Sequence, residues 1–215
     1  MTDGGRLQEP DMRVNMMIEV ISPINKRSPG NLRFLVCDPL GVMGHASSSE
    51  EEWVRSPVQC LDRAVDGNPG IIVILFREMP IRNREALLEL AAVLKRNSHT
   101  RKSAIIALLD SCHRRLIEDL GRANVDYVRI VGESGRDYTQ MREIIDGLGP
   151  GDRVVSHLAV ICPFLHHTQD NSQYEMTVCG AYLDRMVLGG SRLRQICETK
   201  RHLQCEYYLK PRIRS

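Results

Sequence analysis

The stretch "GIIVILF" (70–76) sets six consecutive apolar residues, most of them β-branched, directly behind a Pro-Gly pair. A run this short, apolar throughout and β-branched fits a strand buried on both faces, the environment of a parallel sheet. The residues after it narrow the architecture. "NREALLELAAVLKRN" (83–97) places Leu87, Leu90, Ala91 and Leu94 at i, i+3, i+4 and i+7, one apolar stripe of a helix. "SAIIALLD" then predicts a strand, "CHRRLIEDLGRA" a helix, "VDYVRIV" a strand, and "DYTQMREIIDGLG" a helix closed by Gly-Pro-Gly. Strands that alternate with helices at this spacing need crossovers, so they build a doubly wound parallel α/β sheet covered on both faces.

Upstream, "LRFLVCDP" (32–39) predicts the first strand, and "EEEWVRSPVQCLDRAVDG" reads as helix-like, with Leu61 and Ala64 on one side and Gly67 as its stop. Residues 1–31 are polar and carry Pro10, Pro23 and Pro29. They read as a loosely held arm, although "MMIEVI" has strand character. Doubly wound sheets bind ligands at the carboxyl ends of their strands. The positions that matter are therefore Cys37-Asp38, Phe76-Arg77-Glu78, Leu109-Asp110 and Arg129-Ile130. The Gly- and Ser-bearing loop at 41–49 matches neither the dinucleotide fingerprint nor the Walker pattern, and reads as an ordinary βα loop. Cys37, Asp38 and His45 could be set out as nucleophile and base, but a buried strand-end thiol is the simpler reading. Cys60 and Cys112 read as core or near-surface thiols, and His113 as an exposed helix residue. No complete catalytic constellation is visible, so an enzyme is not expected.

Over 32–148, "IIVILFREMP", the helix after it, "SAIIALLD" and "LGRANVDYVRIV" together resemble the receiver domain of two-component systems. The Met79-Pro80 turn and the Ala-x-x-Asp-Tyr rhythm before the last strand carry most of that resemblance. It implies a response-regulator fold. In receivers an Asp closing the third strand takes a phosphoryl group, acids at the first strand hold magnesium, and a Thr or Ser and a Lys close the fourth and fifth. On this alignment those positions hold Phe76, Leu109 and Ile130, and the acid pair is reduced to Cys37-Asp38. The resemblance is therefore to a pseudo-receiver without its phosphoacceptor.

The cysteines divide the chain differently. Of seven, Cys37, Cys60 and Cys112 are scattered, whereas Cys162, Cys179, Cys197 and Cys205 crowd into the last third with the spacing C-x16-C-x17-C-x7-C. An odd count argues against a fully paired disulfide framework. The start lacks the pattern of a secretory signal and no apolar run reaches the roughly 20 residues of a membrane span, so a cytoplasmic location is expected. Crowded thiols there point to metal. The intervals between them predict a polar loop at 168–173 holding His166-His167 beside it, a short helix at 181–188, a Gly-Gly turn, and a second short helix at 191–197. So little apolar material needs a staple or docking to the main domain. Tyr207 and Tyr208 are expected to pack the last helix onto that domain.

Structural zinc sites usually take thiolates in close pairs, and no such pair occurs. Dispersed single cysteines suit a cubane, and a Pro after a ligand Cys is familiar in iron–sulfur sites. From 190 onward Arg192, Arg194, Lys200, Arg201, Lys210, Arg212 and Arg214 face only Glu198 and Glu206, an excess that would stabilise a buried anionic cluster. The arrangement resembles small bacterial and archaeal modules that read Cys-Pro-Phe, an inner Cys, then Cys-x(5–8)-Cys-x-Tyr. That resemblance implies a [4Fe-4S] cluster on Cys162, Cys179, Cys197 and Cys205. Zinc, with help from His166, His167 or His202, is the alternative.

Three parts are thus expected: an arm (1–31), a receiver-like domain (32–148) and a small helical four-cysteine module (149–215). The expected role is a non-enzymatic regulatory or adaptor protein with redox or iron sensing. An electron-transfer or maturation subunit, or a zinc-stabilised interaction module, are the alternatives. A protein partner is expected. With a net charge of only +2 and no interleaved aromatics in the basic tail, neither membrane nor nucleic acid is.

Overall fold

The computed structural model describes residues 33–41, 51–131, 138–169, 175–183 and 186–212, with 138–141 and 169 described by their backbone alone. The arm at 1–31, the strand-like "MMIEVI" and all but Gly41 of the loop at 41–49, His45 included, lie outside the described residues.

Five parallel strands form the main sheet: β1 (Phe34–Cys37), β2 (Glu51–Val54), β3 (Ile71–Phe76), β4 (Ala104–Leu109) and β5 (Tyr127–Ile130). Their order is β2-β1-β3-β4-β5. That is the doubly wound order in which the chain reverses direction across the sheet between β1 and β3. The connecting helices are α1 (Pro57–Gly67), α2 (Ile81–Arg96), α3 (Arg114–Arg122) and α4 (Tyr138–Asp146). Alternate strand residues feed two cores, as period-2 geometry requires. Leu35, Ile72, Ile74, Ile105 and Ala107 pack with Ala64, Leu87, Leu94 and Ile117 of α1 to α3. Phe34, Val36, Ile71, Val73 and Ile106 face the other way, toward Ile145 of α4.

Glu51–Val54 corrects the helix expected from residue 50 onward. These four residues pair in parallel with β1, from Phe34↔Glu51 to Cys37↔Val54. Pro57 explains the late helix start, because it pushes the residue before it out of the helical region. Ser56 is extended there and its hydroxyl accepts the Gln59 N–H at 3.2 Å, a helix N-cap. The helix is closed by Asn68 in the left-handed region (φ 44°) rather than by Gly67 itself. Its buried side chains are Cys60 and Ala64, with Leu61 only partly covered.

The Gly-Pro-Gly break is a pinned turn rather than a loose hinge. Asp152 is buried, accepts the Gly149 N–H at 2.9 Å, and pairs with Arg129 of β5 at 2.7 Å. The chain then runs through α5 (Val154–Leu158) into a second, antiparallel sheet of β6 (Leu165–Gln169), β7 (Glu175–Cys179) and β8 (Met186–Val187). This sheet corrects the expectation of a helical module in two places. His166 and His167 lie on a strand rather than in a polar loop, and the helix expected at 181–188 is a turn leading into β8. The second helix does form, as α6 (Gly190–Arg192) continuing into a π-turn at Leu193–Cys197. A 3-10 turn (Lys200–Gln204) and α7 (Glu206–Leu209) complete the described chain. No helix among the described residues is long and apolar enough to cross a membrane.

Candidate metal centre

Cys162, Cys179 and Cys197 are buried at 7, 8 and 7% exposure and share one continuous core with strands β1, β3 and β4, while Cys205 is half-buried. They arrive from four different pieces of chain. Cys162 ends the segment after α5, Cys179 ends β7, Cys197 ends the π-turn, and Cys205 is the N-cap residue of α7. Main-chain bonds join these pieces directly. The Cys162 N–H donates to the Cys197 carbonyl at 2.7 Å, and the Gly180 N–H to the Phe164 carbonyl at 2.8 Å. Strand pairing sets Leu165 opposite Cys179. The His166 ring packs over Gly180, so closely that a Cβ there would displace it.

The thiols lie within electrostatic reach of one another. Burial pushes the Cys162, Cys179 and Cys197 thiols upward, Cys197 to about 11, and the neighbouring cysteines push the same way. Ionising all of them together would set like charges side by side in a poorly solvated place, which a bound cation would relieve. The backbone N–H groups of Phe164, beside Cys162, and of Ala181 and Tyr182, beside Cys179, act in the opposite direction and favour the thiolates. Among the described residues, no three His, Cys, Asp or Glu side chains gather tightly enough to grip a single ion.

The three histidines named as extra ligands are placed apart by their contacts. His166 is exposed and packs over Gly180. His202 is buried, and its Nδ1–H donates to the Thr199 carbonyl at 2.7 Å. His167 stacks on His113 with ring centroids 3.6 Å apart. Tyr207 tilts against Tyr182 at 4.9 Å and Tyr208 meets Phe164 edge-on at 5.9 Å, so both rings meet rings of the C-terminal segment, and both border the shared core.

His113 leads to residues that the sequence did not single out. Far from being exposed, its side chain is 12% accessible and caps α3, with Nδ1 accepting the Leu116 N–H at 3.1 Å. The ring proton therefore sits on Nε2, which donates to Glu175 Oε2 at 3.0 Å. Arg84 of α2 grips the same carboxylate with both nitrogens, at 2.6 and 2.7 Å. Arg84 and His113 hold the Glu175 carboxyl down at about 2. Beside it Arg114, the first residue of α3, donates to the Ile161 and Cys162 carbonyls at 3.0 and 3.3 Å. Nothing local in the sequence signalled this contact, because its partners lie 62 and 91 residues from Glu175.

At the carboxyl edge of the main sheet, Phe76 and Leu109 are buried at 3 and 1% exposure, and Asp38 at 2%. The Asp110 carboxylate accepts the Glu78 N–H at 3.2 Å. Cys37 and Cys60 are both fully buried, and their thiols are hydrogen-bonded together, which with burial holds Cys60 firmly protonated. Cys112 is pushed up to about 12 by burial and by Glu198.

The domain is a doubly wound α/β unit of the 2-1-3-4-5 order, the class to which receivers and flavodoxins belong. No family model matches the sequence, and no curated protein matches it. Among solved structures the chain is similar to the phosphorylated cyanobacterial phytochrome response regulator RcpA, at 14% identity, covering 57% of this chain and 94% of that one, with a TM-score of 0.37. A likeness that faint adds nothing to the strand order, which carries the fold class alone.

Proposed function

We propose that this chain is a non-enzymatic regulatory or adaptor protein, built from a receiver-like domain without phosphorelay chemistry and a four-thiolate iron–sulfur site. The observation that carries the proposal is the convergence of Cys162, Cys179 and Cys197, from three chain segments, on a core continuous with the α/β domain, with Cys205 within electrostatic reach of them. Backbone N–H groups beside two of the sulfurs support it, since donors there favour thiolates and would tune a cluster's potential. Cys162, Cys179, Cys197 and Cys205 would hold the cluster, which would supply reversible one-electron chemistry and sensitivity to oxidants or iron supply.

The first domain fits a binding role rather than a phosphoryl acceptor. Receiver chemistry needs a carboxylate nucleophile at the end of β3, and the buried Phe76 ring offers none. A protein partner would read the surface whose order depends on the thiol site. The test is anaerobic purification with metal analysis and a visible spectrum. Iron with inorganic sulfide, and broad visible absorbance that dithionite bleaches, is the expected result. A colourless protein carrying one zinc per chain would defeat the redox part.

A further inference from the structure

We propose that Arg114 and the Arg84–Glu175 pair are positioning residues of the thiol site, so that the α/β domain governs how firmly that site keeps its metal. The inference rests on the metal-binding reading of the four thiols and goes beyond it. It says that the last third of the chain is not a self-contained metal module, and it names the side chains that join the two parts.

Two of the four thiols are tethered to the amino ends of two adjacent helices. Arg114 opens α3 and donates to both the Ile161 and Cys162 carbonyls, while its Nε pairs with Glu118 at 2.8 Å. The guanidinium is 16% exposed and thus fixed at both ends. It sets the main chain of Cys162, whose N–H in turn reaches the Cys197 carbonyl. The second tether works through β7. Glu175 begins that strand and Cys179 ends it, so a short rigid strand connects clamp and thiol. Glu175 is held in bidentate fashion by Arg84 near the start of α2 and by His113 at the cap of α3. All three side chains are at most 17% exposed, and stacking of His167 on His113 adds the partner strand β6 to the same contact.

Groups that orient ligands from one layer out alter metal affinity by about 10- to 100-fold when removed. Linkage then makes the effect reciprocal: if these contacts tighten metal binding, metal binding must tighten these contacts. Metal loss would therefore loosen the amino ends of α2 and α3 as well as the C-terminal segment. These ends succeed the Phe76-Arg77-Glu78 and Leu109-Asp110 turns, at the carboxyl edge where a doubly wound domain presents its binding surface.

The test uses the full chain isolated anaerobically with its native metal. Metal release to an excess of chelator is timed for wild type, Arg114→Ala, Glu175→Gln, the exchange Arg84→Glu with Glu175→Arg, and Arg122→Ala as a surface control. Release about 10-fold faster is expected for Arg114→Ala and Glu175→Gln, with partial recovery in the exchange variant and no change in Arg122→Ala. Hydrogen exchange of wild type with and without metal gives the second readout. Metal removal should deprotect the first two turns of α2 and α3 and leave β3 and β4 protected. Wild-type release rates in both tether variants, or exchange at α2 and α3 indifferent to metal, would overturn the inference. A wild type that holds no metal would instead overturn the reading beneath it. Circular dichroism of each variant separates lost positioning from lost folding.

Discussion

Glu175→Gln isolates the charge of the clamp while keeping its shape. The carboxyl group sits at about 2 against an ordinary 4.5. At about 1.4 kcal/mol per pH unit of displacement, this caps its pH-dependent contribution near ~3 kcal/mol. The carboxylate is 13% exposed, so solvent screens part of that, and a loss of about 2 kcal/mol is expected at pH 7. The sign is set by the depressed value in the folded state. The contribution is complete above pH 4.5 and is lost as pH falls toward 2. Urea titrations of wild type and variant, reduced and with matched metal content, should therefore differ equally at pH 7 and pH 5, by less than half as much at about pH 3, and converge below about pH 2. A difference at pH 7 below about 0.5 kcal/mol, or one that persists unchanged at about pH 3, would show that the Arg84–Glu175–His113 contact is not the electrostatic clamp described.

Four further outcomes are expected. Cys179→Ser and Cys162→Ser should abolish metal retention, read by metal content after gel filtration under anaerobic conditions. His167 is pushed down to about 4 by burial first and then by the neighbouring His113. The unfolded chain takes up a proton below 6.5 that the folded one refuses, so stability should fall between pH 6.5 and 4, and His167→Phe should flatten that slope. Leu94→Ala, at a fully buried site on α2, should cost about 2–5 kcal/mol in urea unfolding. Asp152→Ala, which strands Arg129 and the Gly149 N–H, should cost about 1–3 kcal/mol and raise protease sensitivity near residue 150.

The features legible in the sequence came from local rules. Six apolar residues at 71–76 could be buried only in a parallel sheet, and β3 and β4 appear there with all six residue pairs in register. The apolar stripe at 87–94 became the buried face of α2. Less legible was anything that pairing decides. Glu51–Val54 is too short and polar to announce a strand, and it becomes one because β1 offers a free parallel edge and Pro57 delays the helix. The β6–β7 hairpin was masked by its polar, histidine-bearing residues, which carry no apolar alternation strong enough to read.

By itself, then, the sequence determined the α/β class, because burial period and residue type are properties of the chain. The tertiary structure decided which groups meet. No spacing rule links Arg84 to Glu175 across 91 residues, or Arg114 to the Cys162 carbonyl across 48. Those contacts arise only once two helix ends and a hairpin are packed on a common core. They turn an apparent cysteine-bearing tail into a segment packed on the α/β domain and pinned to its helix ends.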